Sequence, residues 1–160
     1  LGAAEYLVKP VKPEELVQAV RRACPKRSSD GDTTILAVDD EEIVLSLMTR
    51  VLESAGAIVL TADNGQSAVE RFRDNEDDID CVVLDLTMPE MDGEETFLEL
   101  RRIRDDVRVV ISSGYAEEEV TRRFEGHNVG EFISKPFRPN ELLNAVTRVC
   151  RRTEPPPAGR

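Results

Sequence analysis

The 160-residue sequence has little of several residue types, and each shortage excludes a class of protein. It contains no tryptophan, only 4% aromatic residues and one histidine, and no apolar run approaches the length of a membrane span. Its three cysteines, Cys24, Cys81 and Cys150, lack the paired spacing of a zinc site. An odd number of cysteines without a disulfide framework favours a reducing, cytoplasmic setting, and the N-terminus does not read as a signal peptide.

Positive charge is scarce as well. The 21 lysine and arginine residues face 32 aspartate and glutamate residues, which gives a formal net charge of −11. Non-specific nucleic-acid binding needs a basic surface, so we expect no direct contact with nucleic acid, and no membrane contact by this segment. What the chain does have is 40% apolar residues, enough for the core of one domain plus appendages, and an acidic balance suited to binding a cation.

Apolar runs alternate with amphipathic segments from Thr34 onwards. Five short runs are each predicted to be a strand: 35–38, 58–60, 82–84, 107–111 and 132–134. The runs 35–38 and 82–84 are typical of strands that are buried on both faces. The segments between them carry apolar residues at helical spacing. The first is predicted to place Ile43, Leu47 and Val51 on one face, with Val44, Met48 and Leu52 beside them. This alternation predicts an α/β fold, a doubly wound five-stranded parallel sheet of flavodoxin-like type, (βα)5.

The start of the chain repeats its end. The segment Glu5–Leu16 matches Glu131–Leu142, and the match continues at the same spacing through Cys24 and Cys150. A repeat separated by about the length of one domain predicts that residues 1–27 are the truncated strand–helix end of a preceding, similar domain. We accordingly predict three further parts: a linker at 28–33, one domain at 34–152 and a disordered, proline-rich tail at 153–160.

Charged and polar side chains follow four of the predicted strands, namely Asp39 with Asp40, Asp85, Ser113 and Lys135. Parallel strands place their carboxyl ends at one edge of the sheet, so we expect these side chains to converge. Three carboxylates a few ångströms apart repel by roughly 4 kcal/mol per pair at an effective dielectric of 20. A hard divalent cation offsets that repulsion, and Mg²⁺ suits a site with few protein ligands better than Ca²⁺ does.

Each of these residues also has a simpler explanation. Asp39 and Asp40 could cap a helix, although capping explains one acid better than two. Ser113 could be an ordinary turn hydroxyl, and the neighbouring Ser112 could be confused with it. Lys135 could be a solvated lysine at the end of a strand.

Four separated motifs stand at these strand ends, and together they are specific: Val38-Asp39-Asp40, Leu84-Asp85 with Met88-Pro89 and Asp92-Gly93, Ser113-Gly114, and Lys135-Pro136-Phe137. Through these motifs residues 32–152 resemble a response-regulator receiver domain of two-component signalling. The residues around Ser113–Tyr115 and Phe132–Phe137 are similar to those of receivers attached to hybrid sensor histidine kinases. The resemblance therefore implies a C-terminal receiver of such a kinase, preceded by the tail of another receiver.

The resemblance also implies a reaction at Asp85. Its carboxylate would be the phosphoacceptor and would attack a phosphohistidine to form an acyl phosphate. Mg²⁺ would be held by Asp39, Asp40, Asp85 and the main-chain carbonyl of Thr87, and would offset charge on the phosphoryl oxygens. Phosphoryl transfer and autodephosphorylation would both be self-catalysed by the domain.

The remaining implied roles concern the response to phosphorylation. Ser113 and Lys135 would each bind a phosphoryl oxygen, while Thr87 and Tyr115 would tune the rate of dephosphorylation. Ser113 and Phe132 would be the switch residues that reshape the face formed by helix 4, strand 5 and helix 5. The family often has tyrosine at the position of Phe132, so phenylalanine keeps the packing but removes a hydroxyl.

The implied partner is a histidine kinase or phosphotransfer domain that carries phosphohistidine, and the resemblance suggests a homodimer through helix 4, strand 5 and helix 5 as a further option. His127 lacks the amphipathic helical context of a phosphotransfer histidine, so the donor is expected elsewhere. Two alternatives remain. One is a pseudo-receiver that binds partners without phosphorylation. The other is a Mg²⁺-dependent phosphohydrolase with Asp85 as nucleophile, which the haloacid-dehalogenase-like pattern disfavours because it needs an acid where Thr87 stands.

Overall fold

The structure, a computed structural model, describes residues 32–151. The predicted fragment 1–27, most of the predicted linker 28–33 and the predicted tail 153–160 lie outside the described residues. Those three assignments therefore stay predictions. Within the described residues, strands and helices alternate throughout.

Five parallel strands form one sheet, and their bounds are β1 (Thr34–Val38), β2 (Ile58–Ala62), β3 (Ile79–Asp85), β4 (Val109–Ser113) and β5 (Glu131–Ser134). Their order across the sheet is β2-β1-β3-β4-β5. All residues of β1 and β4 are buried, as their continuous apolar sequences require in a sheet covered on both faces. The predicted flavodoxin-like parallel sheet is confirmed.

Five helices connect or follow these strands, with the bounds α1 (Glu42–Ser54), α2 (Gly65–Asp74), α3 (Gly93–Ile103), α4 (Glu117–Arg123) and α5 (Pro139–Arg151). Local sequence explains where several of them begin. Asn64 caps α2 by accepting the Ser67 N–H at 2.8 Å, and Asp92 caps α3 by accepting the Glu95 N–H at 2.9 Å. Helix α5 begins at Pro139, as proline at the first helical position predicts.

The helices divide the core into two clusters. Residues of α1 and α5 pack on one face of the sheet, and residues of α2, α3 and α4 pack on the other. Successive strand residues alternate between the two, so Ala37 and Val83 point towards α1 and α5 whereas Val38 and Leu84 point away from them. The same alternation decides on which face each residue at a strand end lies.

Of the apolar residues predicted on α1, two do not lie in the core. Ile43 is 84% exposed and Leu47 is 38% exposed, whereas Met48, Val51 and Leu52 are buried. The apolar residues of this helix form a broad surface, and only part of it can pack on the sheet. Contacts with β2 and α5, rather than periodicity, decide which part is buried.

Strand β4 lies two residues further along the chain than predicted. It begins at Val109 rather than Val107 and includes both Ser112 and Ser113, because Val82–Asp85 of β3 pair with Val109–Ser112. Val107 is buried just before the strand. Pairing with a neighbouring strand thus extends β4 through two serines that have low intrinsic preference for strands.

Two of the three cysteines lie within the described residues. Cys81 is buried in β3 with a free thiol, and burial raises its pKa to about 12. Cys150, however, is disulfide-bonded. Among residues 32–151, no helix combines the length and apolar character needed to cross a bilayer.

Candidate functional site

Three carboxylates converge at the carboxyl edge of the sheet, as the strand ends predict. Asp39 follows β1 and is fully buried, Asp85 ends β3 and is 3% exposed, and Asp40 is exposed beside them. One oxygen of each of the three lies within 4.8 Å of the others. Asp39 and Asp85 continue the alternation that places Ala37 and Val83 on the α1 and α5 face, so both side chains lie on that face.

Lys135 joins two of these carboxylates. Its Nζ lies 2.6 Å from Asp39 Oδ2 and 3.2 Å from Asp85 Oδ1, and it is 3.9 Å from Glu41 Oε1. Only 18% of the Lys135 side chain is exposed. The simpler explanation, a solvated lysine at the end of a strand, is therefore wrong.

Burial and a neighbouring charge disfavour the ionised form of Asp85. Burial is the larger cause and the charge on Asp39 adds to it, whereas Lys135 and the Thr87 N–H act in the opposite direction, and together these effects raise the pKa of Asp85 to about 7. Burial alone would lower the pKa of Lys135, but its hydrogen bond to Asp39 and the charges on Asp85 and Asp39 raise it overall. Lys135 thus stays protonated while Asp85 is held close to its titration point at neutral pH.

The chain after Asp85 folds back tightly against the end of β3. The Thr87 N–H approaches Asp85 Oδ1 at 3.4 Å, and Gly93 N donates to Leu86 O at 2.8 Å. A Cβ on Gly93 would lie 2.5 Å from the Asp85 carbonyl oxygen, so only glycine permits this approach. Glycine at this position lets the loop that contains Thr87 pack against the end of β3.

Ser113 and Tyr115 form a separate contact beside the cluster. Ser113 is buried and lies two residues after Ile111, which packs against α2, α3 and α4. Ser113 therefore lies on the face of the sheet opposite to Asp85. Its Oγ accepts the Tyr115 N–H at 2.9 Å. The Tyr115 ring is 38% exposed, and the Arg123 guanidinium lies 5.0 Å from its centre. In this structure the Ser113 hydroxyl is therefore engaged with the loop that leads into α4.

Phe132 lies away from the carboxylates in a line of aromatic rings. Its ring centre is 6.2 Å from that of Phe124, which is 5.5 Å from Phe97, and His127 lies 6.1 Å from Phe97. Phe132 is half-buried against the α2, α3 and α4 cluster. The rings connect β5 with α3 and the end of α4, so a movement of Phe132 would be felt by both helices.

The residues present fit a Mg²⁺ ion. Asp39, Asp40 and Asp85 offer hard oxygen ligands, and their three carboxylates lie near one ammonium group, that of Lys135. Since Asp40 is exposed while the other two are buried, solvent has access to one side of the cluster, as retained water ligands require.

Two residues near the site were not singled out from the sequence. Glu41 donates its N–H to Asp39 Oδ1 at 2.9 Å and places its carboxylate near Lys135. Ser112 is buried beside Asp85 in strand register, and none of the described residues hydrogen-bonds its hydroxyl. The alternation of side chains along β4 could have identified Ser112 as a residue on the Asp85 face. The sequence, however, predicted that the strand ends at Ile111, one residue before it.

The comparisons with known proteins agree on one family. The family model of the response regulator receiver domain matches residues 35–147. The sensor kinase CckA of Brucella abortus is 34% identical over 124 residues, 78% of this chain and 13% of that protein. The transcriptional regulatory protein SrrA of Staphylococcus aureus is 36% identical over 122 residues, 75% of this chain and 48% of that protein. The chain thus spans less than half the length of these relatives.

Solved structures give the same fold. A response regulator receiver domain protein from Clostridium thermocellum superposes with a TM-score of 0.70 at 28% identity, covering 75% of this chain and 95% of that one. A CheX–CheY–BeF₃–Mg²⁺ complex from Borrelia burgdorferi superposes with a TM-score of 0.70 at 29% identity, covering 73% and 88%.

Proposed function

The chain belongs to the response regulator receiver domain family of two-component systems, and from this premise we propose that Asp85 is its phosphoryl acceptor. The observation that carries the proposal is the convergence of Asp39, Asp40 and Lys135 around Asp85 at the carboxyl edge of the sheet. The helix-capping explanation of Asp39 and Asp40 does not account for an ammonium group bridging Asp39 and Asp85.

Asp85 is suited to act as the nucleophile. In the proposed reaction one of its oxygens forms a bond to phosphorus while the bond from phosphorus to the donor's histidine nitrogen breaks. The reactive form is the carboxylate anion, which Lys135 stabilises at 3.2 Å against burial and the charge of Asp39. Gly93 closes the loop 86–92 against the end of β3, which keeps the Asp85 backbone in place. The phosphodonor therefore meets an acceptor whose position is already fixed.

Mg²⁺ is the proposed cofactor, with Asp39, Asp40, Asp85 and the Thr87 main-chain carbonyl as its protein ligands. When bound, it would supply positive charge for the phosphoryl oxygens during an in-line transfer. The cluster geometry supports the three carboxylates in this role. The CheY relative whose structure carries Mg²⁺ and BeF₃ has the same fold, which supports the same cofactor here.

The proposed switch uses residues on both faces of the sheet. Lys135 moves towards a phosphoryl oxygen and pairs with it. Ser113, whose Oγ accepts the Tyr115 N–H in this structure, rotates to donate its O–H to another phosphoryl oxygen. The chain from Ser113 to α4 then moves, and Phe132 follows by repacking against Phe124. The face of α4, β5 and α5 changes as a result. Thr87 and Tyr115, exposed beside Asp85 and Ser113, tune the access of water to the acyl phosphate.

The proposed phosphodonor is a histidine kinase or a phosphotransfer domain carrying phosphohistidine, consistent with a sensor kinase among the relatives. We further propose that the parent protein is a hybrid histidine kinase in which residues 1–27 end a preceding receiver, 28–33 form a linker and 153–160 a tail. We also propose that the domain forms a homodimer through α4, β5 and α5. It makes no direct contact with nucleic acid and is located in the cytoplasm. The acidic balance supports the absence of nucleic-acid binding.

Intact-mass measurement tests the acceptor directly. The protein is incubated with acetyl phosphate and Mg²⁺, and we expect the addition of one phosphoryl group. Asp85→Asn should abolish the addition, because an amide cannot form the acyl phosphate. Asp78→Asn, which changes an exposed acid in the loop before β3, is the matched control and should be phosphorylated like the wild type.

Two outcomes would replace the proposal with one of its alternatives. An unchanged mass of the wild-type protein, with Mg²⁺ and donor in excess, would indicate a pseudo-receiver that binds partners without phosphorylation. Rapid, repeated turnover of a phosphate ester would instead indicate the phosphohydrolase.

A further inference from the structure

Strand β4 ends in two serines whose side chains have different surroundings. The Ser113 hydroxyl accepts a hydrogen bond from the Tyr115 N–H. The Ser112 hydroxyl is equally buried, yet within residues 32–151 no group hydrogen-bonds it. A buried hydroxyl without a partner lowers stability, so its presence calls for a physical explanation.

Strand pairing places Ser112 next to the proposed acceptor. Asp85 of β3 and Ser112 of β4 are register partners, and the Leu86 N–H donates to the Ser112 carbonyl oxygen at 2.9 Å. Val83 and Val110, two residues earlier on each strand, both pack on the α1 and α5 face. Register partners on one face stand roughly 4.8 Å apart across neighbouring strands. The Ser112 and Asp85 side chains are therefore neighbours on that face.

The path of Lys135 crosses the same place. Lys135 follows β5, and its Nζ contacts Asp85 after β3 and Asp39 after β1. Because β4 lies between β5 and β3, the lysine side chain passes over the end of β4 to reach both acids. Ile133 packs on the α1 and α5 face, so Lys135, two residues later, lies on the same face as Ser112.

We infer that the Ser112 hydroxyl donates a hydrogen bond to an Asp85 oxygen at the stage when Lys135 is drawn to the phosphoryl group, an inference that rests on the proposed function. In the structure Lys135 and the Thr87 N–H lie nearest to Asp85 Oδ1, and Ser112 is unused. Once Lys135 pairs with a phosphoryl oxygen, the Asp85 oxygen loses that partner, and Ser112 is the buried donor beside it.

The consequence concerns loss of the phosphoryl group. Water attacks phosphorus, the bond from phosphorus to the Asp85 oxygen breaks, and its electron pair returns to the Asp85 carboxylate. The proton of the attacking water leaves with the phosphate or passes to solvent. A hydroxyl that donates to Asp85 stabilises the negative charge as it develops, and hydrogen bonds to charged groups are the strong ones. Ser112 thus shortens the lifetime of the acyl phosphate.

The lifetime of the phosphorylated protein tests this role. Wild type, Ser112→Ala and Ser112→Thr are phosphorylated with acetyl phosphate and Mg²⁺, the donor is removed, and the decay of the phosphorylated species is followed by intact mass. We expect Ser112→Ala to decay about tenfold more slowly, the effect of one charge-assisted hydrogen bond. Ser112→Thr keeps the hydroxyl and should decay within about twofold of the wild type.

Ser67 offers a matched control, because its hydroxyl is also buried without a partner among the described residues but belongs to α2. Ser67→Ala should leave the lifetime unchanged. Denaturant unfolding without Mg²⁺ should show that Ser112→Ala is at least as stable as the wild type, since it removes an unpaired buried hydroxyl.

Three results would overturn the inference. The first is an unchanged lifetime in Ser112→Ala. The second is an equal slowing in Ser112→Ala and Ser112→Thr, which would indicate that side-chain packing rather than the hydroxyl sets the lifetime. The third is unfolding of Ser112→Ala, which would mean that the hydroxyl is needed for folding. A wild-type protein that takes up no phosphoryl group would instead refute the proposed function itself.

Discussion

Two largely buried cations lie at opposite edges of the sheet, and they are held by different partners. Lys135, at the carboxyl edge, faces the carboxylates of Asp39 and Asp85. Arg104, at the amino edge, donates to the carbonyl oxygens of Glu76 and Ile79. Arg104 also lies 5.0 Å from the centre of the Phe72 ring and 3.5 Å from Asp106.

The difference separates a site that can respond to charge from one that holds the fold together. Arg104 donates to neutral carbonyl oxygens and lies over an aromatic ring, so little changes there when an ion or a phosphoryl group binds at the other edge of the sheet. Lys135 is one cation beside the three carboxylates of Asp39, Asp40 and Asp85, so negative charge is in excess at this edge. A cation or an approaching phosphoryl group therefore redistributes the partners of Lys135 but not those of Arg104.

The largest expected effect comes from Lys135→Met. Phosphoryl uptake from acetyl phosphate should slow on the order of 100-fold, because the variant removes a preorganised positive charge from the oxygens on which negative charge develops. The rate is measured by intact mass at saturating Mg²⁺.

Arg102→Met, which removes an exposed cation on α3, is the control for Lys135→Met and should leave the rate unchanged. A Lys135→Met protein that is phosphorylated at the wild-type rate would show that Lys135 acts on structure alone and would remove the proposed difference between the two cations.

Arg104→Met should show the reverse pattern. We expect the free energy of unfolding to fall by about 3 kcal/mol, since the carbonyl oxygens of Glu76 and Ile79 lose their donors in a buried position. The phosphorylation rate of the folded fraction should not change. Denaturant titration with and without Mg²⁺ measures the first quantity, and intact mass measures the second.

Asp106→Asn tests whether charge contributes at the Arg104 edge. The Asp106 side chain is partly exposed and lies 3.5 Å from Arg104, so the loss should stay within about 1 kcal/mol. A larger loss in Asp106→Asn than in Arg104→Met would mean that Arg104 depends on an ion pair as Lys135 does.

The last prediction concerns pH, and its effect should be confined to the carboxyl edge of the sheet, where Lys135 lies. The pKa of Asp85 is raised from 3.8 to about 7, so without metal the folded protein takes up this proton before the unfolded chain does. The contribution of Asp85 to stability should therefore increase as the pH falls from about 7 to about 4. Affinity for Mg²⁺ should fall about tenfold per pH unit below 7, because the proton and the ion compete for the carboxylate.

Isothermal titration with Mg²⁺ between pH 5 and 8 measures the competition, with Asp85→Asn as the reference that lacks the titrating group. An affinity independent of pH over this range would show that Asp85 stays ionised and that Lys135 offsets its charge fully.

Strand ends were the most predictable part of the molecule. β1 is fully buried and β3 almost fully, so the last apolar residue of each can be recognised locally, and Asp39 and Asp85 follow at once. Lys135 directly follows the last residue of β5. Parallel pairing then brings them to one edge whatever the details of the helices.

Helix orientation and strand pairing were less predictable. Ile43 and Leu47 have the spacing of core residues, yet α1 turns them to solvent, because contacts with β2 and α5 select Met48, Val51 and Leu52 instead. Helix contacts depend on residues distant in sequence, which periodicity within one segment does not contain.

The sequence by itself determined that three acids, a serine and a lysine stand at the ends of buried parallel strands, because burial and alternation are local properties of each run. Only the tertiary structure decided how they divide between the two faces of the sheet. The order β1-β3-β4-β5 makes Lys135 cross β4 to reach Asp85 and Asp39. Alternation along β4, once paired with β3, turns Ser112 towards Asp85 and Ser113 away from it. The physical reason is that strand order and register arise from contacts between distant segments, and a change of register by one residue exchanges the two faces.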